Sequence, residues 1–216
     1  MVEDGAEIAA RIVAVAHDVT CDALGAARGI EALEAVWDAL TEAAGQLDER
    51  HRVERPPDRP IQCKAGCGHC CHQRSIDVTA IEVLHLVHWL ENHVPAERRQ
   101  AVITRWEADP GTCPLLVDEA CSVHPARPMI CRAMNSYDVA ACIRRYDVPV
   151  YGPSWTIYRH FQAGLMTGLA ALGYSDRKLS LGRSIAIALG TPDVIGRWLA
   201  GEAVLAEGEV IPEDLA

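Results

Sequence analysis

The sequence is poor in aromatic residues, and this scarcity limits the folds that it can adopt. Aromatic side chains make up 5% of the 216 residues, and only one of them is a phenylalanine. Alanine, by contrast, is abundant. Because alanine favours helices and aromatic side chains favour strands, we expect closely packed helices rather than an aromatic-rich β core. The sequence therefore predicts a mainly α protein.

The sequence also lacks an excess of basic charge and any long apolar run. Its formal net charge is −10, which disfavours binding to nucleic acid or to an anionic membrane surface. No apolar run reaches the roughly 18 residues of a membrane span. The first ten residues, MVEDGAEIAA, are acidic and lack the basic and apolar regions of a signal peptide. We therefore expect a cytoplasmic protein.

Several familiar catalytic motifs are absent as well. The sequence contains no G-x-G-x-x-G dinucleotide fingerprint, no P-loop, no H-E-x-x-H metalloprotease motif and no G-x-S-x-G nucleophile elbow. Whether the protein is an enzyme is therefore not decided by a motif of this kind. The function must be sought in its cysteines.

The apolar periodicity divides the chain into three regions. Residues 1–54 predict an N-terminal helical hairpin, residues 55–147 a cysteine-cluster region, and residues 148–216 a set of C-terminal helices. We expect the three to form one compact domain. The predicted fold is a mainly α domain in which a cysteine-rich, metal-binding loop region packs between helices.

Several helix boundaries can be predicted from capping residues. Thr79 and Glu82 have the spacing of a capping box, and Ser154 and Thr191 are candidate N-caps of two later helices. A further helix is predicted over residues 176–189. The proline-rich segment 113–132 lacks a helical period and predicts a loop with at most a short hairpin.

Nine cysteines are an unusual number for a cytoplasmic chain. Disulfides are disfavoured in a reducing compartment, so clustered thiols there more often bind metal or take part in redox chemistry. Seven of them exceed the need of one mononuclear site, which favours two metal sites or a redox role for the spare thiols. Cys21 is interpreted as an inert buried thiol. The candidate ligands are Cys63, Cys67, Cys70, Cys71, Cys113, Cys121 and Cys131.

The residues around these cysteines suggest how a metal would be held. Arg127 and Arg132 are candidates to offset the negative charge of a thiolate-bound metal and to donate hydrogen bonds to sulfur. Gly66 and Gly68 are expected to allow tight turns with positive φ. An additional ligand role is left open for Cys142. The same is left open for His69, His72 and His124.

The segments CKAGCGHCC, CPLL and CSVHPARPMICR closely resemble the YkgJ-type cysteine-cluster family, also called the C-x-x-C-x-x-C-C family. The resemblance covers roughly residues 60–135 and implies a zinc- or iron-chelating domain. One relative in this family, a flagellin lysine N-methylase, has a similar cluster and uses S-adenosylmethionine. His124 departs from the pattern, which commonly has an aromatic residue there. The matching positions are Cys63, Cys67, Cys70, Cys71, Glu82, Cys113, Pro114, Cys121, Arg127, Pro128, Cys131 and Arg132.

The spacing C-x3-C-x2-C is also the one by which radical S-adenosylmethionine enzymes hold a [4Fe-4S] cluster. Those enzymes place it after the first strand of a partial β/α barrel, and no run of alternating strands and helices follows Cys70. His69 also stands where that class usually has an aromatic residue. The sequence therefore argues against a radical-enzyme barrel.

Three functions remain open from the sequence. The cysteines hold an iron–sulfur cluster, most simply [4Fe-4S], that serves electron transfer, redox sensing or an attached activity with a redox partner. Alternatively, they hold zinc in a structural module that binds a partner protein. In the third alternative the protein is a metal-dependent enzyme, such as an S-adenosylmethionine-dependent protein methyltransferase.

Overall fold

Helices dominate the computed structural model, which describes residues 5–72, 76–145 and 147–210. This confirms the predicted mainly α fold. The long helices are α1 (Gly5–Ala26), α2 (Ile30–Glu54), α3 (Ala80–His93), α4 (Ala96–Ala108), α7 (Gly152–Ala171) and α8 (Leu181–Gly190). The short ones are α5 (Met129–Ala133), α6 (Val139–Arg144) and α9 (Val194–Leu199), with 3-10 turns at His69–His72, His124–Ala126 and Ala206–Gly208.

Short antiparallel strand pairs join distant parts of the chain. Strand β1 (Asp77–Val78) pairs with β4 (Leu179–Ser180), and β2 (Leu116–Val117) forms a hairpin with β3 (Ala120–Cys121). Each sheet in the described ranges has two strands, so this part of the chain contains no β/α barrel. None of the described helices is both long and apolar enough to cross a bilayer.

Helix α1 packs closely against α7, through glycines on α7. A Cβ atom built on Gly164 would lie 2.5 Å from the Cβ of Ala16, and one on Gly168 would lie 2.7 Å from the Cβ of Thr20. Only glycine allows so close an approach of two helix backbones. The buried side chains of α1 and α7 belong to the same core as those of α2, α3 and α8.

Glu82 joins three helices from a fully buried position. Its Oε2 accepts from the Thr79 N–H at 2.7 Å, and the Thr79 hydroxyl accepts from the Glu82 N–H, so the predicted capping box is confirmed. The carboxylate also accepts from the Met129 N–H of α5 at 2.8 Å and from Gln162 Nε2 of α7 at 3.1 Å. Burial raises the pKa of Glu82, and these hydrogen bonds oppose the rise.

Other predicted helix boundaries were wrong, because the side chains expected to cap the helices donate to other partners. Ser154 does not cap α7; it is buried within the first turns of that helix and donates to Asp48 of α2 at 2.6 Å. Thr191 ends α8, and its hydroxyl donates to the Ile187 carbonyl, while α9 begins after Asp193. Residues 179–180, predicted to be helical, pair with β1, and helix α5 interrupts a segment predicted to be loop.

Candidate metal centre

The main chain brings the two cysteine segments side by side. Cys70 and Cys71 lie on the 3-10 turn His69–His72, and the Cys113 N–H donates to the Cys71 carbonyl at 2.7 Å. Cys113 lies three residues before strand β2, Cys121 lies on strand β3 of the same hairpin, and α5 carries Cys131. Cysteines about 40 to 60 residues apart in sequence thus become neighbours.

Five thiols form what we call the inner thiol group: Cys70, Cys71, Cys113, Cys121 and Cys131. The thiol of Cys71 is within hydrogen-bonding reach of the Cys70 and Cys113 thiols. Cys131 lies close enough to Cys70 and Cys121 for a thiolate at either position to oppose its ionisation. These five belong to the seven predicted ligands.

Three further thiols form what we call the outer thiol group: Cys63, Cys67 and Cys142. They line a cavity of about 250 Å³ whose wall also includes Cys70 and Cys131 of the inner group. The Ser136 N–H donates to the Cys63 sulfur at 3.0 Å. Cys142, for which the sequence left a ligand role open, therefore lies beside two of the predicted ligands.

Five of the eight thiols have a raised pKa and so favour their protonated forms: Cys63, Cys70, Cys71, Cys121 and Cys131. A hydrogen bond with the Cys71 thiol, together with burial, raises the pKa of Cys70 well above its usual range. A hydrogen bond with the Cys113 thiol, also with burial, raises the pKa of Cys71 to about 12. Burial is the main cause of the raised pKa of Cys63, Cys121 and Cys131. A bound cation would have to displace these protons.

Metal affinity should therefore increase with pH. Metals bind the thiolate, so each thiol with a raised pKa releases a proton on binding. Between about pH 6 and about pH 8 we expect the apparent Zn²⁺ affinity to rise at least about tenfold per pH unit. Competition with a chelator of known affinity at several pH values measures this slope. A pH-independent affinity would contradict thiol ligation.

Arg127 places an unused hydrogen-bond donor beside the thiols. Its Nη1 donates to His124 Nε2 at 2.7 Å, whereas its buried Nε has no hydrogen-bond partner among the described residues. The positive guanidinium partly opposes the rise in the pKa of Cys70 and of Cys121. A thiolate sulfur is a suitable partner for the free Nε.

Arg132 is engaged differently. Its Nε donates to the Arg127 carbonyl at 2.9 Å and its Nη2 to the Pro125 carbonyl at 2.7 Å. The guanidinium also lies over the Trp37 ring, with its central carbon 5.8 Å from the ring centroid. These hydrogen bonds hold the loop before α5 in place.

The remaining candidate residues differ in whether they line the cavity of the outer thiol group. His69 and His124 line the same cavity as the outer thiol group. Burial, with Arg127 and Arg132 nearby, lowers the pKa of His124 and keeps it neutral, as a ligand nitrogen must be. His72 contacts Glu119 at 3.2 Å. Cys21 lies between α1 and α7, where its thiol donates to the Gly168 carbonyl, and belongs to neither group.

The donor set fits zinc or iron by its chemistry. Soft thiol donors on several segments suit zinc or iron, and a neutral histidine and a guanidinium donor nearby can assist them. In the part of the chain that the structure describes, no three His, Cys, Asp or Glu side chains already converge on one point as metal ligands. Binding would therefore require at least a rotation of cysteine side chains between staggered rotamers.

Gly68 allows the two cysteine segments to meet. It does so because it has no side chain, and not through the positive φ that the sequence predicted. Gly66 has the expected positive φ of 83°, whereas Gly68 is instead a point of close approach. A Cβ atom on Gly68 would clash with the Glu119 carbonyl oxygen and would lie 2.6 Å from a methyl carbon of Leu116. The hairpin that leads to Cys121 can thus approach only a glycine.

Gly68→Ala should therefore separate the hairpin from the 3-10 turn. We expect a loss of about 1–3 kcal/mol in the free energy of unfolding and weaker metal binding. Gly190→Ala is a matched control, since a Cβ there has no neighbour within 4 Å. Denaturant unfolding and metal titration measure both effects. Equal behaviour of the two variants would contradict this role of Gly68.

Comparison with known proteins agrees with this picture of the cysteine region. Residues 62–147 match the family model described as "CxxCxxCC: Putative zinc- or iron-chelating domain". The match extends beyond Arg132 and includes Cys142. No curated protein and no solved structure is significantly similar to the chain. Residues 62–147, which carry both thiol groups, are therefore similar to zinc- or iron-chelating domains of the CxxCxxCC type.

Proposed function

We propose that the protein holds an iron–sulfur cluster through the inner thiol group and serves electron transfer or redox sensing. The observation that carries this proposal is the meeting of five cysteines from the 3-10 turn, the hairpin and α5. Four thiolates complete a cubane cluster, and iron–sulfur clusters exchange single electrons. The inner group supplies that number with one thiol to spare.

The surroundings of the inner group support a charged, electron-exchanging centre. Arg127 offsets negative charge on Cys70 and Cys121 and has a free Nε to donate to sulfur. A second cavity, of about 240 Å³, extends from Cys70 and Cys131 to the partly exposed Trp155. We expect a redox partner to approach the centre on this side. The thiol chemistry agrees with the cytoplasmic location predicted from the sequence.

Metal and acid-labile sulfide content tests the proposal most simply. The protein would be purified without oxygen, assayed for iron, zinc and sulfide, and examined by absorption spectroscopy. We expect iron with an equivalent amount of sulfide and a broad band near roughly 400 nm, the thiolate-to-iron signature. Cys121→Ser should lose both iron and sulfide. Colourless protein with stoichiometric zinc and no sulfide would refute the iron–sulfur assignment.

A zinc-stapled structural module is the second candidate. It is favoured by the way the inner group joins three separate segments, which a closed four-coordinate zinc site would pin together. In that case, removal of zinc should lower the unfolding temperature strongly, because the metal's binding free energy contributes to folding. The helical surface would then bind a partner protein.

A further inference from the structure

The outer thiol group occupies a place of its own beside the inner one. Cys63, Cys67 and Cys142 line the 250 Å³ cavity together with Cys70 and Cys131. Of the inner group, only these last two reach the cavity; Cys71, Cys113 and Cys121 are not among its lining residues. A single centre would have to span both groups to use all eight thiols.

The main chain holds the outer thiols together by specific hydrogen bonds. The Gln62 N–H donates to the Ser136 carbonyl at 2.8 Å, and the Val139 N–H donates to Gln62 Oε1 at 3.0 Å. These bonds clamp the loop that carries Cys63 against the start of α6, the helix that carries Cys142. The pairing of these two cysteines, 79 positions apart, is thus built into the fold.

The immediate surroundings of the outer thiols suit a metal-bound sulfur. The Ser136 N–H already donates to the Cys63 sulfur, which is the contact that stabilises a thiolate ligand. Cys142 is buried, whereas Cys63 and Cys67 are half-buried and face the cavity. Because the three side chains line one cavity, an ion that they share would have to lie in that space.

We propose that Cys63, Cys67 and Cys142 bind a second, separate thiophilic metal ion such as Zn²⁺. Three protein ligands leave a fourth position of a tetrahedral ion, and the cavity provides the room for it. That position would be open to a water molecule or a small ligand, with Arg127 and Asn135 on the same wall. The proposal deepens the metal-binding function proposed above but does not depend on which metal the inner group holds.

Zinc loading of matched variants tests the second site. Protein purified without oxygen would be incubated with Zn²⁺, freed of unbound ions by gel filtration and assayed for zinc and iron. We expect Cys142→Ser to bind one zinc ion fewer than the wild type and to keep the inner metal. Cys121→Ser should lose the inner metal and keep the outer zinc. Cys21→Ser, outside both groups, should match the wild type.

Several results would overturn the second site. Cys142→Ser would bind as much zinc as the wild type if no such site existed, or would lose the inner metal as well if all eight thiols served one centre. Cys67→Ser repeats the test from the loop, and circular dichroism of each variant separates a lost ligand from a lost fold. Retention of all metal by Cys121→Ser would instead refute the inner centre, so the two proposals fail separately.

Cobalt substitution gives an independent readout. Co²⁺ bound by thiolates shows charge-transfer absorption whose intensity increases with the number of sulfur ligands. We expect the wild type to take up Co²⁺ at the outer site with the absorption of three thiolates, and Cys142→Ser to show no such phase. An identical Co²⁺ titration in both proteins would count against the proposal.

Discussion

Cys70→Ser is expected to reduce the metal bound by the inner thiol group to less than about a tenth of the wild-type content, because metal affinity depends on every thiolate ligand. Cys70 lies at the junction of the two thiol groups. Its thiol is within hydrogen-bonding reach of Cys71, and it lines both cavities beside Cys131. A serine hydroxyl is a much poorer ligand for zinc or iron.

The matched control for this variant is Cys21→Ser, which makes the same chemical change away from both groups. Metal analysis of the two purified proteins, with thermal unfolding of each, completes the comparison. We expect Cys70→Ser also to unfold at a lower temperature, since a lost metal no longer stabilises the fold. Full metal content in Cys70→Ser would show that this cysteine is not a ligand.

Glu82→Ala is expected to lower the free energy of unfolding by about 3 kcal/mol or more, the cost of leaving several buried donors unsatisfied. The change removes the acceptor of the Thr79 and Met129 N–H groups and of Gln162 Nε2. It also leaves a cavity in the core. The Met129 N–H lies at the start of α5, the helix that carries Cys131. Without its acceptor, α5 should be held less firmly, and metal affinity should fall as well.

Two further variants show which part of this loss belongs to the buried carboxylate. Glu91→Ala changes an exposed residue of the same helix and should shift the unfolding free energy by less than about 0.5 kcal/mol. Glu82→Gln keeps one acceptor oxygen and should have an intermediate effect. Denaturant unfolding curves measure all three. An equal loss in Glu82→Ala and Glu91→Ala would contradict the role of Glu82 as a junction.

The raised pKa of Glu82 also has a consequence for pH dependence. A carboxyl with a higher pKa in the folded than in the unfolded state stabilises the fold most below its unfolded pKa. That contribution is lost as the pH rises through the folded-state value. Glu82→Gln should therefore show a smaller decline in stability over this pH range than the wild type.

Local signals in the sequence predicted much of the helical fold. The capping box at Thr79 is a four-residue pattern, and its bonds form within the same turn. Helix α5 was not predicted, because the N–H of its first residue donates to the carboxylate of Glu82, 47 residues earlier. The prediction that Ser154 caps a helix was wrong for a similar reason. Its hydroxyl donates to Asp48, 106 positions earlier. Such long-range partners leave no local pattern.

In the candidate site, too, local patterns could be predicted from the sequence and long-range contacts could not. The spacing around CKAGCGHCC indicated a loop that wraps a metal, and seven predicted ligands now lie in two adjoining groups. The sequence left Cys142 open, because nothing near it indicates that Gln62 and Ser136 clamp α6 beside Cys63. The same holds for Gly68, whose role depends on its contact with the hairpin at Glu119.

X-ray absorption spectroscopy at the edge of the bound metal tests the central claim most directly. The claim is that cysteine sulfur atoms of the two thiol groups hold the metal. Anaerobically purified protein should show a dominant shell of sulfur neighbours at about 2.3 Å, the distance of thiolate ligands to zinc. A first shell of nitrogen and oxygen atoms alone, at about 2.0–2.2 Å, would contradict it.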